Sequence, residues 1–287
     1  MISEPALDRL SAMFQGPDVS GTRYTLISVL GRGGMGVVYL AHDSVLDREV
    51  ALKIVERPED QANEARILAR LEHPGIVPVH DVGELPDGRL FYAMKRVRGD
   101  RLDRWMAERR DLPECLGVFL RVCDAVAFAH AHGVIHRDLK PENVMVGEFG
   151  EVLVLDWGIA HEMQNADCQT PMAGTSHYMA PEQARGDATI DQRADVYALG
   201  AVLESIADVM PVLAIARKAR SADVDGRYSS VQALAADVQR YLAGRAVEAQ
   251  RETVFDRVAR FGRRHRLPIL LVLTYLVARV LLLWLVR

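Results

Sequence analysis

Three cysteines in 287 residues are too few for a disulfide framework. Cys115, Cys123 and Cys168 show neither metal-ligand spacing nor an even count, so free thiols in a reducing compartment are expected. Charge of one sign is also lacking: 35 Lys and Arg stand against 39 Asp and Glu. The resulting −4 argues against a nucleic-acid footprint spread over the surface, and nucleic acid is not an expected partner. The N-terminus, MISEPALDRL, lacks a basic and apolar leader, so no secretory signal is expected there. Internal repeats and low-complexity tracts are absent as well. What remains is ordinary globular composition, 49% hydrophobic and 26% charged, in a chain long enough for two lobes with their own cores.

The last residues differ from the rest. From Leu267 the chain reads LPILLVLTYLVARVLLLWLVR, and residues 268–286 make 19 positions. As a helix they would reach about 28 Å, close to one hydrocarbon thickness. Four arginines between Arg260 and Arg266, in RFGRRHR, precede the run. Such a cluster favours retention on the cytoplasmic side and attraction to anionic lipid. Arg279 costs roughly 2.5–3.5 kcal/mol at mid-helix, a cost lowered by snorkelling and offset by its apolar neighbours. The expectation is a single-pass membrane protein with its main body cytoplasmic and its C-terminus on the far side.

Four divisions follow: a flexible leader over 1–20, a folded domain over 21–244, a basic juxtamembrane segment over 245–267 and the span over 268–286. Between Tyr24 and Met94, short β-rich runs dominate (YTLISVL, VVYLA, VALKIV, LFYAM), interrupted by one helix from about Asp60 to Leu71. After Gly99 the pattern turns helical. Apolar residues at 116, 119, 120, 123, 126, 127 and 130 mark one face of a long helix. Short strand-like pieces follow at VMV and EVLVLD, then helices near Asp195 and Ser230. The last of these is expected to bury Val231, Leu234, Ala235, Val238 and Leu242. The fold class is therefore α+β and bilobal, a β-rich lobe over 21–97 and a helical lobe over 98–244, with a ligand crevice between them.

Gly31, Gly33 and Gly36 in LGRGGMGVVYL form a GxGxxG pattern. A dinucleotide site needs a helix after these glycines, and a strand follows here instead, so they belong at a hairpin tip. There, backbone N–H groups can approach phosphate oxygens without a Cβ in the way. Lys53 in VALKIV could contact phosphates, held by Glu64 on the following helix. HRDLKPEN, residues 136–143, gathers further chemistry. Asp138 could orient a hydroxyl and accept its proton, Lys140 could neutralise a transferred group, and Asn143 could bind a metal through its amide oxygen. Asp156, after an apolar strand, supplies the carboxylate that Mg²⁺ prefers. Taken singly, each of these residues is as well explained by a surface charge or a turn.

Together and in this order they resemble a eukaryotic-type (Hanks-type) protein kinase, and specifically the bacterial membrane-anchored Ser/Thr kinases. The resemblance runs from Tyr24 to Gly244 and includes VALK, HRDLKPEN, DWG, GTSHYMAPE, DVYALG and the GRYSS turn. It implies that Gly31, Gly33, Gly34 and Gly36 cover the phosphates of ATP, and that Lys53, braced by Glu64, holds them. Leu30, Val38 and Ala51 would line the adenine pocket, Lys95 and Val97 in MKRV would bond the base through their backbones, and Met94 would guard the rear. Asp138 would be the catalytic base supported by Lys140, with Asn143 and Asp156 binding Mg²⁺ or Mn²⁺ in its place. The lysine two residues after the base is the Ser/Thr-type signature. His136 would be structural, packed beneath Trp157. Arg137 would pair with a phosphorylated activation loop, with Thr170 favoured as the phosphosite and Thr175 contacting the catalytic residues. Protein substrates, membrane lipid and a second copy of the chain are the partners implied.

Two departures stand out. Trp157 replaces the family's usual Phe. Arg227 comes only 32 positions after Asp195, where the family carries several dozen more. The helix that docks substrates in many relatives is therefore expected to be shortened or missing. An ATP-dependent, non-specific Ser/Thr kinase that phosphorylates its own loop is the leading expectation. A membrane-bound pseudokinase scaffold is the rival, and a small-molecule kinase a third.

Overall fold

In a computed structural model, residues 16–33, 36–55, 67, 70–108, 111–157, 161–162, 177–187, 189–250 and 274–275 are described. The β-rich lobe is a five-stranded antiparallel sheet: β1 (Tyr24–Gly33), β2 (Gly36–Asp43), β3 (Arg48–Val55), β4 (Val79–Glu84) and β5 (Leu90–Lys95), in the order β1-β2-β3-β5-β4. The two-residue period of β3 decides what each face does. Val50, Leu52 and Ile54 turn into a core with Tyr24, Phe91 and Ala93, which leaves Ala51 and Lys53 on the opposite face. β4 is a short edge strand of alternating burial, and no sequence expectation covered it.

β6 (Gly99–Arg101) pairs with β8 (Val144–Gly147), and β8 with β9 (Val152–Val154). Helix α1 (Leu102–Ala107) leads to α2 (Leu112–Ala131). α2 starts four residues before the expected apolar face, because Asp111 caps it: its side chain accepts from the Glu114 N–H at 2.8 Å. Leu116, Phe119, Cys123, Val126 and His130 are buried as expected, and so are Cys115, Val118, Val122, Ala125 and Ala129. A helix buried beyond one stripe lies at the centre of its lobe. Two of the expected free thiols, Cys115 and Cys123, are here; Cys168 lies outside the described residues.

The lower lobe continues through β7 (Val134–Ile135), which pairs with β10 (His161–Glu162), then α3 (Pro181–Arg185), α4 (Arg193–Ile206), α5 (Met210–Ala219) and α6 (Val231–Leu242). Only Ala207, Asp208 and Val209 separate α4 from α5; no helix intervenes, as the short spacing led us to expect. The two helices approach closely at Gly200, where a Cβ would sit 2.7 Å from that of Ala219. Ser230 caps α6 by accepting from Ala233 N–H at 3.2 Å. Of the five residues expected on its buried face, Leu242 is instead 40% exposed. It is the last residue of the helix and projects past the core.

The packed body runs beyond the expected boundary at Gly244. Val247 is buried. The N–H groups of Glu248 and Ala249 donate to the fully buried Asp237 carboxylate at 2.6 and 3.0 Å. Tyr228 Oη donates to the same carboxylate at 2.7 Å, and burial together with that bond raises the phenol's pKa. Among the described residues, no helix is long and apolar enough to cross a membrane. Of the expected span, only Thr274 and Tyr275 are described.

Candidate active site

Lys53 projects from the face of β3 opposite the sheet's core, with only 5% of its surface exposed. Its Nζ lies 2.9 Å from Asp156 Oδ1 and 5.5 Å from the centre of the Tyr92 ring. Asp156 leaves β9 in the left-handed region, φ 61°, an uncommon conformation for a residue with a Cβ. Partial burial opposes ionisation of its carboxyl, but the Lys53 charge and hydrogen bond outweigh this and hold its pKa below the ordinary range. Glu64, expected to brace Lys53, lies outside the described residues.

HRDLKPEN folds around an anchor that the motif does not contain. Asp195, at the start of α4, is fully buried and accepts from the backbone N–H of His136 at 2.8 Å and of Arg137 at 2.9 Å. Its Oδ2 also lies 2.7 Å from His130 Nε2, which must carry the hydrogen since a carboxylate only accepts. Burial disfavours the charged form of Asp195, yet these donors prevail and lower its pKa. Arg137 is thereby held at φ 67°, and its carbonyl accepts from Gln183 Nε2 at 2.9 Å. Sequence reading did not assign Gln183, His130 or Asp195 to this task. The separation of Gln183 and Asp195 from the loop, and of His130 from Asp195, hides it.

Within the loop, Asp138 Oδ2 accepts from Lys140 Nζ at 2.6 Å and from Asn143 Nδ2 at 3.1 Å. Asn143 Nδ2 also bonds the Asp138 carbonyl at 2.8 Å. Its amide nitrogen is thus committed within the loop. His136 accepts from Asp138 N–H through Nδ1 at 3.3 Å and donates from Nε2 to Leu155 O at 2.9 Å. Both nitrogens are occupied. The ring lies 4.6 Å from the buried indole of Trp157, which is the structural role expected of it.

At the other side of the crevice, β1 and β2 meet at Gly33 and Gly36. The glycines divide into two kinds. Gly36 is required by the fold: its φ is 140°, and a Cβ there would lie 2.2 Å from Ile54 O. Gly31 and Gly33 have no positive φ and nothing within 4 Å of a Cβ. Among the described residues no neighbour demands these two glycines, which fits a loop that needs open space for a ligand. Gly34 lies outside the described residues. Leu30 is 50% exposed, Ala51 is buried opposite Met94, Val38 pairs with Lys53, and Met94 packs on the core. Lys95 spends its own N–H on Pro78 O at 3.1 Å, so that part of the connector's bonding capacity stays inside the protein. Thr170 and Thr175 lie outside the described residues.

An amide oxygen on Asn143 and a carboxylate on Asp156, its side chain 44% exposed, are the hard oxygen donors that Mg²⁺ takes. Among the described residues no group of three or more His, Cys, Asp or Glu could hold a metal unaided. The Asn143 and Asp156 oxygens fit such an ion.

The profile of the Protein kinase domain family matches residues 24–245. This chain belongs to the protein kinase family. Among similar proteins, the serine/threonine-protein kinase PknD of Chlamydia caviae is 34% identical over 295 residues, covering 77% of this chain. PknB of Mycolicibacterium smegmatis is 36% identical over 286 residues and 81% of the chain. The DNA damage-responsive serine/threonine-protein kinase RqkA of Deinococcus radiodurans is 42% identical over 202 residues and 64% of the chain. The alignments take in 31%, 45% and 30% of these proteins, so the chain spans less than half the length of each. Within the kinase domain, the expected helical lobe and sheet lobe are both present. The buried pair Glu182–Arg227, two hydrogen bonds of 2.7 Å, ties the APE segment to the GRYSS turn.

Proposed function

We propose that this chain is an active Ser/Thr protein kinase, transferring the γ-phosphate of ATP to hydroxyls of protein substrates and to its own activation loop. One observation carries the reading: Asp138 is held on a single oxygen by Lys140 and Asn143. Its other oxygen is left for an incoming alcohol. Asp138 orients that hydroxyl and takes its proton. Lys140 stays beside it, a positive charge where negative charge develops. Across the crevice, Lys53 is desolvated and positioned by Asp156, so its ammonium is ready for phosphate oxygens without reorganisation. Asn143 and Asp156 would hold magnesium, which would supply neutralisation of phosphate charge.

The test is incubation of the purified chain with labelled ATP and Mg²⁺, beside Lys53→Met and Asp138→Asn. Incorporation into the chain and into a generic basic protein, abolished in both variants, is the expected result. Nucleotide binding without any incorporation in the wild type would replace this reading with the pseudokinase scaffold. The direct passage from α4 to α5 is the observation that favours that second reading, since it removes a substrate-docking helix. Thr170→Ala is expected to lower activity; full turnover with no phosphate elsewhere in the loop would remove Thr170 as the phosphosite.

Residues 268–286 we read as a membrane anchor that leaves the kinase domain cytoplasmic. The apolar run and the arginines before it support this. Arg279, a charge in an apolar helix, is a candidate contact for a second copy of the span. Unchanged self-association of Arg279→Leu in membranes would discard that contact.

A further inference from the structure

The connector between the lobes carries three cations in four residues, Lys95, Arg96 and Arg98, around Val97. Each meets an acid. In the β3–β5 ladder Val50 lies opposite Lys95, so the next pair outward is Glu49 and Arg96. Arg96 Nη1 bonds Glu49 Oε2, and Arg98 Nη2 reaches the same oxygen at 3.1 Å. From the helical lobe, Glu151 Oε1 stands 3.8 Å from Lys95 Nζ, and Glu148 N–H donates to Arg98 O at 3.0 Å. Arg96 and Arg98 thus share one carboxylate, on either side of Val97.

We infer that Glu49 is a positioning residue for nucleotide binding: it clasps the two arginines that flank Val97 and fixes the backbone against which the base must bond. This rests on the nucleotide reading above and adds to it a residue far from the phosphates. The partners are only partly covered, Glu49 34% and Arg96 28% exposed by side chain. One such pair alone does little, whereas two guanidiniums on one carboxylate act as a network. Loss of the clasp frees the connector without touching any group that handles phosphate. The effect therefore falls on ATP affinity and KM, with kcat spared.

The experiment uses the full chain in two measurements. ATP affinity with Mg²⁺ is titrated for wild type, Glu49→Gln, Arg96→Gln/Arg98→Gln and the triple variant. Amide hydrogen exchange over 95–98 is followed without nucleotide. Glu49→Gln is expected to weaken ATP binding about three- to tenfold and to speed exchange in the connector. The arginine variant should do the same, and the triple variant no more than either, because all three remove one network. Additive losses, or unchanged affinity and exchange in Glu49→Gln, would overturn the clasp. Faster exchange in a chain whose wild type binds no ATP would keep the clasp as a mechanical element and overturn its role for nucleotide together with the proposed function.

Discussion

Arg137 N–H donates to Asp195 Oδ1 at 2.9 Å, from a residue held at φ 67° and 58 positions away in sequence. The buried carboxylate is what keeps the catalytic loop in that conformation, since His136 N–H and His130 converge on its other oxygen. Asp195→Asn offers one acceptor oxygen to three donors. It is expected to cost about 3 kcal/mol in urea unfolding. Turnover with ATP should fall at least about tenfold, because the loop residue next to Arg137 is the proposed base. An Asn variant with wild-type stability and turnover would show that the loop holds itself.

The same residue sets a pH dependence. Asp195 has its pKa lowered on folding, so its contribution is complete above the unfolded value of about 3.9 and is lost as pH falls through the lower folded value. Asp156 follows the same sign. Acid should therefore destabilise the wild type below about pH 4 more steeply than it destabilises Asp195→Asn. Parallel curves of unfolding free energy against pH for the two proteins would contradict this.

Most of the site was legible before any coordinates, because phosphate and metal chemistry needs particular residue types and those residues lie in short motifs. Asp138, Lys140 and Asn143 meet over five positions of chain, and a sequence window holds them all. What the window cannot hold is support from afar. Asp195, Gln183 and Asp237 act over 58, 46 and 12 positions. A buried Asp looks like any helix-start acid until its donors are known. The elements missed are short or polar. β4 is polar and has no fully buried residue, α1 has six residues, and α5 is amphipathic but lies in a stretch where the family pattern is cut short. Leu242 was assigned to the core by periodicity, which does not say where a helix outruns its partner.

The glycine loop gives a prediction that separates folding from binding. Gly36→Ala would place a Cβ 2.2 Å from Ile54 O at φ 140°. It should lower stability by at least about 2 kcal/mol. Gly31→Ala and Gly33→Ala meet nothing among the described residues, and a strand alanine should leave stability unchanged or raise it by about 0.5 kcal/mol. Their ATP affinity should nonetheless fall, by about tenfold. Thermal melts without nucleotide and ATP titrations on the same three variants decide it. Loss of stability in Gly31→Ala and Gly33→Ala would mean that those glycines serve the fold.

The Glu182–Arg227 pair closes the lower lobe where the intervening chain is shortest. Both side chains are buried, and Arg227 also donates to Ser221 O at 2.8 Å and Arg193 O at 3.0 Å. Arg227→Met leaves a buried carboxylate without its partner and should cost about 3–5 kcal/mol. Glu182→Gln keeps a neutral acceptor and should cost less. Replacing both, Glu182→Leu with Arg227→Met, removes the unpaired charge, so the double variant should be more stable than Arg227→Met alone. It should still fall short of wild type, because two carbonyls lose their donor. Glu182 neighbours Gln183, which bonds the Arg137 carbonyl at 2.9 Å, so turnover should follow stability in this series. Urea unfolding of the four proteins, with turnover at saturating ATP, tests both statements. A double variant no more stable than Arg227→Met would mean that the two carbonyl bonds, and not the charge pair, hold the lobe shut.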